Sequence, residues 1–135
     1  MEEKFYIENK IEELPSLAEK IEGIGEKWDL PMPLVMNLNL VLEEAVTNTI
    51  FYSYADTEIH RIEIELKKED KQLIIRITDD GNPFDPTKKE KPDTSLSIED
   101  RKIGGLGIFL IQQLMDQVNY KREENKNILI LKKSI

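Results

Sequence analysis

Glu44 and Asn48 stand four residues apart, so on a helix they share a face, at the border of an apolar stripe beside Val41. A carboxylate can take a proton, and a carboxamide oxygen suits a hard cation. A solvated helix flank would carry the same spacing. Asp79 ends a run in which Leu73, Ile75 and Ile77 alternate with Ile74, Arg76 and Thr78. Strand parity therefore turns its carboxylate toward the apolar face, where an ion needs a donor, an ordered water or a ligand. The other reading is a strand-end Asp that turns the chain with Gly81 or caps a neighbouring helix. Gly104-Gly105-Leu106-Gly107 precedes the apolar Ile108, Phe109, Leu110 and Ile111. Glycines there let the backbone approach a ligand, and the first-turn N–H groups and helix dipole favour a phosphate. Many helices open after a glycine turn, and no Gly-Lys-Ser/Thr follows, so this is not a P-loop.

The elements that must hold these residues are legible from periodicity. Phe5 to Ile7 reads as a short strand, and Ile11, Leu14, Leu17, Ala18, Ile21 and Ile24 recur at helical spacing, with Pro15 in the first turn and Gly23 and Gly25 loosening the end. From Leu34, the residues Val35, Leu38, Val41, Leu42, Ala45, Val46 and Thr49 form one stripe of a helix that lies on the core. Ile62 to Leu66 and Leu73 to Ile77 alternate as the two strands of a hairpin. After Asp79-Asp80-Gly81 a polar segment runs to about Ile103 without a period, which suits either a mobile lid bringing Lys88, Lys89, Lys91, Arg101 or Lys102 to a ligand or simple disorder. A helix near Leu106 to Leu114 and a closing hairpin, Val118 to Arg122 and Ile128 to Leu131, complete the chain. The expected architecture is α+β: a two-layer α/β sandwich, its mixed, mainly antiparallel sheet carrying helices on one face, in one domain spanning residues 1–135.

The 135 residues include 27 acidic and 19 basic ones, a net charge of −8, which argues against general affinity for nucleic acid. An anionic ligand would need a metal ion, backbone N–H groups or loop lysines. Cysteine is absent, excluding disulfides and thiolate metal sites. The N-terminus lacks a basic start followed by an apolar run, and no stretch is long and apolar enough to span a bilayer, so a cytoplasmic protein without membrane contact is expected.

The order of these features resembles the GHKL superfamily of ATPases and kinases, whose nucleotide site is called the Bergerat fold. Glu44-Ala45-Val46-Thr47-Asn48 looks like its N box, Asp79-Asp80-Gly81 like its first glycine box and Gly104-Gly105-Leu106-Gly107 like its second, over a span from about Leu34 to Leu131. The short form, with Gly-Asn-Pro-Phe-Asp-Pro and Gly-Gly-Leu-Gly-Ile-Phe-Leu-Ile, is most similar to anti-sigma-factor serine kinases of bacterial partner-switching systems. That resemblance implies ATP and Mg²⁺ as cofactors. It implies that Asn48 holds the metal, that Glu44 orients or deprotonates the attacking hydroxyl, and that Asp79 accepts from the adenine amino group. Gly81 would let the base approach, and Gly104, Gly105, Leu106 and Gly107 would face the phosphates. The implied partners are a sigma factor or similar regulator and a small anti-anti-sigma protein phosphorylated on serine, with a homodimer as an open option. Pro83 stands where many members carry a second glycine, and Tyr52 where relatives commonly carry a histidine. A histidine kinase core is disfavoured, because the single histidine, His60, lies at a strand edge and no phospho-accepting hairpin is present. Gyrase-like and chaperone-like ATPases need further domains. The competing reading is a non-catalytic, nucleotide-holding partner-binding module, which would have no use for Glu44.

Overall fold

The computed structural model describes residues 1–88 and 105–135. In chain order it contains β1 (Glu2–Glu8), a 3-10 turn (Ile11–Glu13), α1 (Leu14–Lys27), α2 (Met32–Tyr52), β2 (Arg61–Glu69) and β3 (Gln72–Asp79). A second 3-10 turn (Pro86–Lys88), α3 (Gly105–Leu114), β4 (Gln117–Glu123) and β5 (Lys126–Ser134) follow. The five strands form one sheet in the order β1-β2-β3-β5-β4, and every pairing is antiparallel. The mainly antiparallel character is thus complete among the described residues, and no parallel pair makes the sheet mixed. The reason is connectivity: the β2–β3 and β4–β5 hairpins are tight, and the hairpin that follows α3 brings β5 back beside β3.

Alternation sorts the two faces. Ile62, Ile64, Leu66, Leu73, Ile75 and Leu131 point inward and join Leu17, Ile21, Leu38, Val41, Leu42, Val46 and Ile111 of the helices in one apolar cluster. Fully burying each such side chain stabilises the fold by about 1.5–3 kcal/mol. The outer face carries Lys4, Glu63, Glu65, Arg76 and Thr78 around an open polar groove, with Lys4 paired to Glu63 at 3.6 Å and Glu65 at 3.8 Å.

Two helix details depart from the sequence reading. α2 begins at Met32, with Pro33 in its first turn, where a missing N–H costs nothing. Gly25 does not loosen α1, which runs on to Lys27. A Cβ on Gly25 would lie 2.5 Å from Val35 Cγ2, so the glycine lets α1 and α2 pack closely. The β4–β5 turn has positive φ at Glu124 (51°) and Asn125 (63°), the backbone twist that a two-residue hairpin between right-twisted strands requires. The polar segment enters the second 3-10 turn at Pro86, while the rest of the expected lid, with Lys89, Lys91, Arg101 and Lys102, lies outside the described residues.

Candidate functional site

Asp79 ends β3 on the inward face and is only 5 % exposed. Register places Asn127 of β5 beside it and Arg122 of β4 beside Asn127, so one cross-strand row ends the sheet in three polar side chains. Asp79 Oδ1 accepts from the Gly81 N–H at 2.9 Å and from Asn127 Nδ2 at 2.9 Å. Burial pushes the Asp79 carboxyl above its ordinary range, and these two hydrogen bonds and the Arg122 charge oppose that shift. Asn127 Nδ2 also donates to Asn82 O (2.7 Å), and its Oδ1 accepts from Phe84 N (3.2 Å) and Tyr120 OH (2.5 Å). Arg122 Nη1 donates to Gly81 O at 2.7 Å. The loop from Gly81 to Phe84 is therefore tied to the sheet end through side chains.

The last turns of α2 form the facing wall. Asn48 is 2 % exposed, and neither its Oδ1 nor its Nδ2 has a hydrogen-bond partner among the described residues. An orphaned buried amide costs about 1–3 kcal/mol, a cost that a ligand or metal ion at this position would offset. One turn earlier, Glu44 is half-buried, and desolvation followed by the neighbouring Glu43 charge raises its carboxyl above the usual value. Gly107 in the first turns of α3 lies so close that an added Cβ would run into Glu44 Oε2. Gly81 has a similar constraint, because a Cβ there would meet the Ser53 carbonyl and, at 2.7 Å, Ser53 Cβ. The Asn82 N–H donates to that same carbonyl at 2.6 Å, which pins the turn after β3 to the C-terminus of α2.

Ala45, Asn48, Thr49, Ile77, Asp79 and Asn127 line a narrow cavity, together with Phe84 and Pro86 of the loop after β3. Its free volume is about 20 Å³, room for about one water. Tyr52 stacks on Phe84, with ring centroids 5.2 Å apart and planes at 23°. This places Tyr52 behind Phe84, a residue that lines the cavity.

The structure thus brings Asn48 and Asp79 to one cavity, ties Gly81 to Asp79 beside Ser53 and puts Gly107 against Glu44. Gly105 and Leu106 open α3, whereas Gly104 lies outside the described residues. Sequence reasoning missed Asn127, Tyr120 and Arg122. The signal was present, since Asn127 shares parity with the inward Leu129 and Leu131, but a strand started at Ile128 leaves it out.

The sequence matches the family model described as "Histidine kinase-like ATPase domain" over residues 7–133. It is 29 % identical over 116 residues to the serine-protein kinase RsbW of Listeria monocytogenes, covering 83 % of this chain and 74 % of that one. It is 28 % identical over 136 residues to RsbW of Oceanobacillus iheyensis, covering 94 % and 85 %. The serine/threonine-protein kinase BtrW of Bordetella bronchiseptica is 28 % identical over 109 residues, covering 81 % and 75 %. In fold the chain is similar to the blue-light activated histidine kinase of Erythrobacter litoralis EL346, with a TM-score of 0.54 at 17 % identity over 77 % of this chain and 31 % of that chain. The histidine kinase AdeS of Acinetobacter baumannii gives 0.52 at 22 %, covering 74 % and 46 %. This chain therefore spans less than half of either of those two kinases. No helix among the described residues is long and apolar enough to cross a membrane. With its antiparallel sheet, its helices on one face and a family match over nearly its whole length, the chain belongs to the histidine kinase-like ATPase domain family.

Proposed function

We propose that this protein is an ATP-dependent serine kinase of the anti-sigma-factor type, which phosphorylates an anti-anti-sigma-like partner and sequesters a sigma factor or similar regulator. The observation that carries the proposal is the unpartnered carboxamide of Asn48, buried one helical turn from Glu44 in the cavity that Asp79 also lines. Asn48 Oδ1 is a neutral oxygen suited to Mg²⁺, and Asp79 Oδ2, to which no described residue donates, is suited to the adenine amine. ATP and Mg²⁺ supply the phosphoryl group and the neutralisation of its charge. Glu44 takes the proton from the serine hydroxyl, and its raised carboxyl pKa makes it a better base than an ordinary glutamate. The N-terminal turns of α3, kept bare by Gly107, offer N–H groups toward phosphate. Family membership and relatives named as serine-protein kinases support the reaction class. The net charge of −8 accords with protein partners in place of nucleic acid, and residues 1–135 act as one cytoplasmic domain open to self-association.

The test is a single-turnover assay with labelled ATP and candidate partner proteins encoded nearby. Glu44→Gln should bind Mg-ATP like the parent and transfer about a hundredfold to ten-thousandfold more slowly. Transfer by Glu44→Gln at the parental rate would remove the base assignment. A parent that binds ATP and a partner yet transfers nothing would leave a non-catalytic, nucleotide-holding module.

A further inference from the structure

We propose that Asn127 is a positioning residue for base recognition, its side-chain amide holding the Asp79 carboxylate and the Gly81–Phe84 loop in the one arrangement that reads an exocyclic amine. The inference rests on the proposed role of Asp79 in accepting from adenine.

Asn127 is 4 % exposed, and its carboxamide is used on every side. Nδ2 spans Asp79 Oδ1 and the Asn82 carbonyl, and Oδ1 receives the Phe84 N–H and the Tyr120 hydroxyl. An amide in this place can only donate through Nδ2, so Asp79 must present an acceptor to it, which favours the ionised carboxylate. Both bonds to Asp79 fall on Oδ1, from Asn127 and from the Gly81 N–H, so the carboxylate cannot rotate without breaking two contacts in a buried site. Oδ2 is then fixed as the atom left for a ligand N–H. The same amide links that carboxylate to the loop that walls the cavity, so base reading and loop position depend on one side chain. Arg122 contributes from β4 by holding Gly81 O.

This role predicts a loss of discrimination and not merely of affinity. The Mg²⁺ complexes of ATP and of inosine triphosphate, which has an oxygen in place of the exocyclic amine, are titrated calorimetrically against the whole chain. The parent should prefer ATP by about ten- to a hundredfold, the range for a hydrogen bond to a charged group. Asp79→Asn should bring the ratio near one. Asn127→Leu should do the same, and adding it to Asp79→Asn should not change the ratio further. Asn127→Asp, which keeps the size and the acceptor oxygen but loses the donor, should behave like Asn127→Leu and serves where the leucine variant does not fold. Ile111→Val, which loosens the apolar wall of the same cavity and leaves every hydrogen bond of Asn127 in place, should keep the parental ratio. Parental discrimination in Asn127→Leu or Asn127→Asp would overturn the inference while leaving Asp79 as the reader of the base. Equal loss in Ile111→Val would overturn it in favour of general loosening of the pocket. A parent that does not discriminate would defeat the Asp79 assignment itself, and the inference with it.

Discussion

At the residue scale, the role proposed for Asn48 sets function against stability in a way that can be measured. Its carboxamide is buried without a partner, a cost that an apolar side chain of similar size would not incur. Asn48→Leu should therefore raise stability by about 1–3 kcal/mol in urea unfolding and abolish Mg²⁺-dependent nucleotide binding. A destabilised Leu variant would mean that the amide has a partner in the native state. Glu44 gives a related signature through pH. Its folded pKa is raised, so the folded state holds the proton more tightly than the unfolded state does. The parent's stability from this group is full below the unfolded carboxylate range and is lost as pH rises through the folded value. Glu44→Gln avoids that loss. The variant should thus match the parent at acid pH and become the more stable of the two as pH rises above the ordinary glutamate value, which unfolding midpoints at several pH values would reveal.

At the element scale, α1 contains two glycines that should respond oppositely to alanine. Gly23 is exposed within the helix, and a Cβ there meets nothing within 4 Å, so Gly23→Ala should stabilise the protein by about 0.5–1 kcal/mol. The Cβ of Gly25→Ala would run into Val35, a short, branched side chain with little freedom to move, and should cost about 1–3 kcal/mol. Paired denaturant titrations decide it, and equal shifts would mean that α1 and α2 separate freely. The helices and strands themselves were legible because their apolar residues repeat at 3.6 or 2 over several turns or pleats, as in Val35 to Thr49 and in Leu73 to Ile77. Gly25 was misread because sequence shows its low helix propensity and hides the neighbour that demands it. Asp79 is legible by parity, and so is the inward direction of Asn127 once its strand is begun at Lys126, whereas the pairing of the two comes from register across β3 and β5, which no single segment encodes. The orphaned amide of Asn48 is a matter of packing, and spacing alone left it indistinguishable from a solvated flank.

At the scale of the whole molecule, a net charge of −8 makes the folded state repel itself, and the outer sheet face relieves this only locally, through pairs such as Lys4 with Glu63 and Glu65. Added salt should screen the repulsion more than it weakens those exposed pairs, so the melting temperature should rise by a few degrees between about 20 and 200 mM NaCl. A fall would show that surface pairing outweighs net repulsion. The strand order β1-β2-β3-β5-β4 carries a further consequence, for synthesis. β4 emerges from the ribosome before β5, the strand that alone joins it to the rest of the sheet. Until Lys126–Ser134 has been made, the nascent chain presents β3 as an open edge, its inward side chains uncovered along that margin, which is the kind of surface that holdase chaperones protect and that invites aggregation. Because Asn127 lies in the same late strand, the hydrogen-bond partner of Asp79 arrives in the step that closes the edge.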